Sequence, residues 1–343
     1  MTVAQASRPT PLSRVWSAKG KIVAEDLTGD DLSDVLELHS DASAWWVLPR
    51  DDQYAASELR EVAKALDLDH LAIKDLLAHD RRAKFETVGQ ARLVITNAVS
   101  LDPQTAALSV HPVSVVVTDR ALICLVTPTD TFRPAQLFFQ QEEALATGGV
   151  EAGLQLLMTA VINTYENVIQ FLEDASDDLA NALFEERPLN RTEQLYAFRL
   201  RSSLSQLRRL TDPMRAVMAD IVENPAVGLK GKTTTRTSVI TRRWTLICEH
   251  HTRVANSADG LREVLAAVFD TSLSLADLRM NQIMKKLSGW AAILAVPTLV
   301  TGFVGMNVNF PLDGTTLGFW VYVVLMIAAG LLLYVIFRRK DWV

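Results

Sequence analysis

The chain has 343 residues, enough for about two domains, and its 34 Lys and Arg against 40 Asp and Glu leave a net charge of −6. That balance argues against a nucleic-acid partner, which would favour a basic surface. Two cysteines, Cys124 and Cys248, lie far apart with no CxxC and no zinc-type spacing, so they read as buried, reduced thiols rather than a disulfide or a metal site.

Residues 1–20 contain no apolar core long enough for a signal peptide, and Pro9 and Pro11 predict a disordered lead. Residues 21–150 read as a cytoplasmic α/β domain. Strands are expected at Trp45–Leu48, Lys84–Val88, Arg92–Leu101 and Leu108–Thr127, the last folding back at Asp119-Arg120. The segments "AASELREVAKALDL" and "LAIKDLLAHD" between them are helical in pattern. No GxGxxG, GxxxxGK[ST], HExxH or Ser/His/Asp constellation appears, so an enzyme is not expected.

Residues 151–238 read as a helical hairpin, acidic then basic. "ENVIQFLEDASDDLANALFEE" has no Lys or Arg, while "RLRSSLSQLRRL" is rich in Arg. The acidic run is a solvated helix face or a cation attractor. Residues 239–286 then form a stalk helix. Ile240, Ile247, Val254, Leu261, Val268 and Leu275 recur every seven residues, with Trp244, His251, Ala258 and Leu265 at the complementary position. His250 and His251 are adjacent, so on a helix they diverge by about 100° and cannot share a metal as an i, i+4 pair can. His251 lies on the apolar line and reads as a hydrogen-bonded core histidine.

The stalk continues into residues 287–304, "LSGWAAILAVPTLVTGFV", which carry no charge, and residues 317–337, "LGFWVYVVLMIAAGLLLYVIF", are more apolar still. Each is about the ~20 residues that cross ~30 Å of hydrocarbon as a helix. Lys285 and Lys286 precede the first span, and the basic tail 338–343 with Arg338, Arg339 and Lys340 follows the second. The connecting loop, 305–316, holds only Asp313 among charged residues. The positive-inside rule then places both termini in the cytoplasm and the loop outside. Two helices cannot enclose a water-filled path, so a conduit requires an oligomer lined by one helix per subunit. The first span is the better liner. Asn281, Met284, Leu287, Ala291, Ala295, Thr298, Gly302 and Gly305 form one stripe of small, polar and unbranched residues leading to Asn307.

Gly305, Met306 and Asn307, set between two apolar spans, resemble the signature of the CorA family of divalent-cation channels. "NQIMKKL" and "PTLVTGFVGMN" resemble the two ends of that family's first membrane helix. "LDLDHLAIKDLLAHDRRAKFE" resembles its cytoplasmic signature, and "FRRKDWV" its basic tail. The resemblance implies a funnel-shaped homopentamer of α/β domains, long stalk helices and a two-helix transmembrane hairpin in the inner membrane. It carries no covalently bound cofactor, and Mg²⁺ is its transported and regulatory ion. By position, Gly305, Met306 and Asn307 would form the selectivity filter, Met284 and Leu287 an apolar gate, and Asn281, Thr298 and Gly302 polar or small rings. Lys285, Lys286, Arg338, Arg339 and Lys340 would form a basic collar, although the two lysines also serve simple topology determination.

Two departures stand out. The family often has an acidic residue soon after Gly-Met-Asn, and here Asp313 comes in shifted register. The family's inhibitory cation site pairs a residue matching Asp75 with a stalk carboxylate, but that stalk position is Leu246, with Glu249 one turn later as the stand-in. A Zn²⁺ transporter of the same superfamily is the alternative, and the intact Met306 tilts against it. A mere membrane anchor needs neither Asn307 nor the small-residue stripe.

Overall fold

The computed structural model describes residues 12–17, 21–50, 55–65, 68, 70–77, 82–130, 132–185, 187–223, 234–306, 315–340 and 342. The chain divides into two compact units, Met1–Leu179 with Arg191–Ala266, and Ala180–Asn190 with Ala267–Val343.

The first unit is built on a seven-stranded sheet ordered β2-β1-β3-β7-β6-β5-β4. Its strands are β1 (Leu12–Trp16), β2 (Ile22–Glu25), β3 (Ser43–Pro49), β4 (Lys84–Val88), β5 (Ala91–Leu101), β6 (Leu108–Val117) and β7 (Ala121–Val126). All neighbours are antiparallel except β3 and β7. The turn expected at Asp119-Arg120 joins β6 to β7. It is closed by Thr118 N–H donating to the Ala121 carbonyl at 2.8 Å and Ala121 N–H donating to Thr118 Oγ1 at 2.9 Å. From Ala91 to Val99 every residue of β5 is buried, as expected for a strand covered on both faces.

One face packs on α1 (Gly29–Leu38), α2 (Ala55–Ala65) and α3 (His70–Leu77), with Leu32, Leu36, Leu59 and Leu76 joining Trp46, Leu48, Ile95 and Ile123 in a single core. The Arg120 guanidinium secures the end of α1 by donating to the carbonyls of Leu36, His39 and Ala42. The other face meets α4 (Pro134–Gln140), where the Phe138 ring packs tilted against Trp45, centroids 4.8 Å apart and planes at 56°. It also meets α5 (Glu142–Phe184), whose Tyr165 hydroxyl donates to the Asn97 carbonyl at 2.6 Å.

Within the lead expected to be disordered over residues 1–20, the described residues 12–17 hold the strand β1 instead. Its Val15 and Trp16 are buried, and Trp16 lies 5.7 Å from Trp45. Five residues beside two prolines carry too short an alternation to announce a strand, and pairing with both β2 and β3 supplies the order. A second correction lies at the junction expected near 150. Helix begins at Glu142, and Gly149 interrupts it with φ 66° and ψ −155°, a left-handed conformation that glycine adopts without the Cβ penalty. The helical hairpin expected from residue 151 opens with the stretch that restarts after this break.

The helices α6 (Arg191–Glu223), α7 (Thr234–Val304) and α8 (Thr316–Arg339) complete the chain. In α6, Leu200, Leu204, Leu207 and Met214 turn inward. The heptad line of α7 is the buried one, with Ile240, Trp244, Ile247, His251, Val254, Ala258, Leu261, Leu265 and Val268 all inside and Leu275 half-buried. α7 starts five residues before the expected 239. Arg338 and Arg339 belong to the last turn of α8 rather than to a tail. No breaker precedes them, and cations suit a helix C-terminus.

Candidate functional site

The second unit holds the two apolar spans. α7 passes from the stalk into Leu287–Val304 without interruption, and Pro297 is accommodated inside the helix. Among the described residues these two helices, and no others, are long and apolar enough to cross a membrane, with mean hydropathy 1.7 and 2.5.

Along the first span, exposure separates two faces. Asn281, Met284, Leu287, Ala291, Ala295, Thr298, Gly302 and Gly305 are all exposed. Gly289, Ala292, Ile293, Val296, Pro297 and Val300 are buried or half-buried. At about 100° per residue these two sets lie on opposite sides of the helix. α8 has a corresponding line of reduced exposure through Gly318, Tyr322, Met326, Ala329, Leu333 and Phe337. The stripe of small and polar residues therefore lies within the larger part of α7 that its own chain leaves uncovered, which also carries Trp290, Leu294, Leu299 and Phe303.

The stripe is polar at discrete levels. On the stripe Thr298 Oγ1 donates to the Leu294 carbonyl at 3.1 Å, and beside it Thr301 Oγ1 donates to the Pro297 carbonyl at 3.0 Å. Each hydroxyl proton is thereby used within the helix, and the oxygen keeps acceptor capacity. The helix closes with Gly305 N–H donating to the Thr301 carbonyl at 2.9 Å and Met306 N–H donating to Phe303 at 3.2 Å. A Cβ on Gly305 would stand 3.1 Å from the Thr301 oxygen, tighter than ordinary contact, so this last turn favours glycine. Asn307 and Asp313 lie outside the described residues.

At the opposite end of the spans stand the five predicted cations. Lys285, Lys286, Arg338, Arg339 and Lys340 are all exposed. Arg338 is held by its own helix, with Nη1 donating to the Tyr334 hydroxyl at 3.4 Å and Cζ 6.0 Å from that ring. Trp342 folds back to stack on Phe337, centroids 5.6 Å apart and planes within 8°.

The candidate regulatory residues lie in the first unit. Asp75 on α3 is occupied by Lys84 on β4, whose Nζ stands 3.1 Å from Asp75 Oδ2 and 2.8 Å from Glu86 Oε2. Hydrogen bonding to Glu86, then to Asp75, raises the Lys84 pKa. A tethered ammonium thus sits where two carboxylates converge. Glu249 and Leu246 are both exposed on α7. Among the described residues no group of three or more His, Cys, Asp or Glu could hold a metal.

Sequence reasoning missed Lys84, because no local pattern shows that β4 carries it to α3. It also missed a buried set joining three elements. Arg92 on β5 and Trp244 on α7 both bond to Glu151 on α5.

A family model described as "CorA-like Mg2+ transporter protein" matches residues 41–339. A cobalt/magnesium transport protein CorA of Methanocaldococcus jannaschii is 43% identical over 83 residues, 24% of this chain and 26% of that protein. The protein of the same name from Thermotoga maritima is 21% identical over 319 residues, covering 91% of this chain and 87% of the relative. The complete structure of the CorA magnesium transporter of M. jannaschii superposes with a TM-score of 0.73, covering 100% of both chains at 19% identity. That likeness extends over the α/β unit, the long helix and both apolar helices. Matched along most of its length, the chain belongs to the CorA-like Mg²⁺ transporter family.

Proposed function

We propose that the protein is a homopentameric channel that conducts hydrated Mg²⁺ across the cell membrane, with both termini in the cytoplasm and residues 305–316 outside. The observation that carries this reading is the uncovered stripe on α7. A helix that served only as an anchor has no reason to align Asn281, Thr298, Gly302 and Gly305 along one exposed face. Five such stripes around one axis would enclose a path that is narrow, small-walled and intermittently polar.

In that arrangement Asn307 forms the outer filter. Mg²⁺ gives up its waters reluctantly, and a carboxamide oxygen accepts hydrogen bonds from the water shell without the tight hold of a carboxylate. Conduction requires binding weak enough for release. Lower down, Met284 and Leu287 form apolar rings that close by dewetting. The basic residues Lys285, Lys286, Arg338, Arg339 and Lys340 surround the inner mouth. Mg²⁺ is also the regulatory ion in this reading, with Asp75 and Glu249 as sensing positions.

The test is Asn307→Ala. The variant should assemble as the parent does by mass measurement, yet lose most Mg²⁺ flux into liposomes. Parental flux in an intact pentamer would remove the filter, and a stable monomer or dimer of the parent would remove the channel. Parallel flux of Mg²⁺, Co²⁺, Ni²⁺ and Zn²⁺ ranks the ions, and a clear preference for Zn²⁺ would replace Mg²⁺ as the cargo.

A further inference from the structure

β3 and β7 run parallel, and the Arg50 N–H donates to the Val126 carbonyl at 2.7 Å where the two strands end. The chain leaves these two carboxyl ends toward opposite faces of the sheet. After β3 it enters α2, whose Leu59 shares a core with Trp46. After β7 it enters α4, whose Phe138 packs on Trp45. Trp45 and Trp46 are neighbours on one strand and point to opposite faces. Adjacent parallel strands followed by segments on opposite faces make a topological switch point, and open α/β sheets take their ligands in the crevice outside such strand ends.

A cleft of about 610 Å³ opens at this end of the sheet, on the β7 side. Its size is that of small-molecule sites, which run from about 300 to 1,000 Å³. Ser100 and Leu101 at the end of β5 form one wall, His111 of β6 the floor, and Pro128, Thr129 and Arg133 after β7 the other wall. The strand register sets Ala98 opposite His111, so Ser100 lies diagonally across on the same face. Ser100 Oγ and His111 Nε2 stand 2.9 Å apart, and both residues are half-buried. When the imidazole donates in that bond, the Ser100 hydroxyl hydrogen is free to turn toward a ligand.

Arg133 Nε donates to the Thr129 carbonyl at 3.3 Å, and Nη2 donates to Asp130 Oδ1 at 2.7 Å. Asp130 is the one carboxylate among the described residues of this lining, and its side chain is 96% exposed. An ion pair so open to water is worth little. A more highly charged oxyanion inside the cleft would exchange for it, since a guanidinium binds phosphate through two parallel bonds. Guanidinium, imidazole and hydroxyl approach from both walls and the floor, which suits a group with three strong acceptor oxygens. Leu101 and Pro128 supply the apolar contact that an inorganic ion does not need.

We propose that this cleft binds a small phosphorylated molecule, its phosphate held by Arg133, His111 and Ser100 and its organic body lying against Leu101 and Pro128. All of these residues belong to the first unit, so the proposal stands whether or not the protein conducts Mg²⁺.

The probes are glycerol phosphate, inorganic phosphate and glycerol, titrated calorimetrically into the full-length protein in detergent, without Mg²⁺ and at constant ionic strength. Glycerol phosphate should bind, glycerol should not, and inorganic phosphate should bind several-fold more weakly than the ester. Arg133→Gln should weaken glycerol phosphate roughly tenfold or more, as expected for a lost charge-assisted contact, and Ser100→Ala several-fold. Asp130→Asn should tighten it several-fold, because the competing carboxylate is gone. Arg133 and Asp130 are both exposed, so neither variant endangers folding. No binding of either phosphate by the parent overturns the proposal. So does binding that neither Arg133→Gln nor Asp130→Asn changes, which would place the phosphate on basic residues elsewhere. Equal affinity for the ester and the inorganic ion overturns the role given to Leu101 and Pro128.

Discussion

Between Ile240 and Val268, α7 buries one line of residues, and from Asn281 to Met306 nearly every residue is open. The geometry of the helix is the same in both halves, and the periodicity of its large apolar residues is not. In the first half they recur in heptads and face a folded protein. In the second they point in all directions, as they must if the surroundings are hydrocarbon, and the informative residues become the small and polar ones. The meaning of an exposed leucine therefore depends on the solvent outside it. Leu287, 63% exposed, is no defect if it faces a pore or lipid.

The contrast is broken most directly by one substitution made in both halves. Leu265→Ala removes a fully buried side chain and should cost about 2–5 kcal/mol of stability, read from thermal or denaturant unfolding in detergent. Leu287→Ala should stay within about 0.5 kcal/mol and instead raise Mg²⁺ leak when internal Mg²⁺ is high. Equal losses of stability, with no change in leak, would mean that Leu287 is packed as Leu265 is.

Acidification should act on the first half. Burial, then repulsion from Arg215 and from His250, lowers the His251 pKa from 6.5 to about 4, against the Thr211 carbonyl and Asp212, which favour the proton. The unfolded chain binds a proton near 6.5 and the folded chain only near 4, so the contribution is complete above about 6.5. It is lost progressively as pH falls toward 4, by about 3 kcal/mol at most. His251→Gln should flatten stability over that window. An unchanged slope would show that other groups dominate it.

At the end of the second half, Gly305→Ala places a Cβ 3.1 Å from the Thr301 oxygen. Flux should fall several-fold while the unfolding midpoint holds, because the strain is confined to one terminal turn. Parental flux would mean that the turn yields without disturbing the filter.

The smallest stability change is expected at Lys84. Its bridge to Asp75 and Glu86 is partly exposed, so Lys84→Ala should alter stability by about 1 kcal/mol or less. It would leave two carboxylates facing each other, and the Mg²⁺ concentration that halves flux should fall. Asp75→Ala should move it the other way. No movement in Lys84→Ala, Asp75→Ala or Glu249→Ala would place cation sensing elsewhere.

What the amino-acid sequence determined by itself was whatever repeats or is extreme over a short distance. The heptads of α7, the two uncharged spans, the Asp119-Arg120 turn and the stripe ending at Gly305 all follow from residue spacing, because helix and strand periods convert spacing directly into faces. The tertiary structure alone decided the rest. Five residues between Leu12 and Trp16 become a strand only because β2 and β3 flank them. Glu142–Gly148 is helical ahead of a break at Gly149 that no sequence period marks. Lys84 meets Asp75, and Arg92 meets Trp244 through Glu151, across 9 and 59 and 93 residues of chain. Charged side chains look solvated in any window of sequence. Only the packing of distant elements removes their water and makes a specific partner necessary.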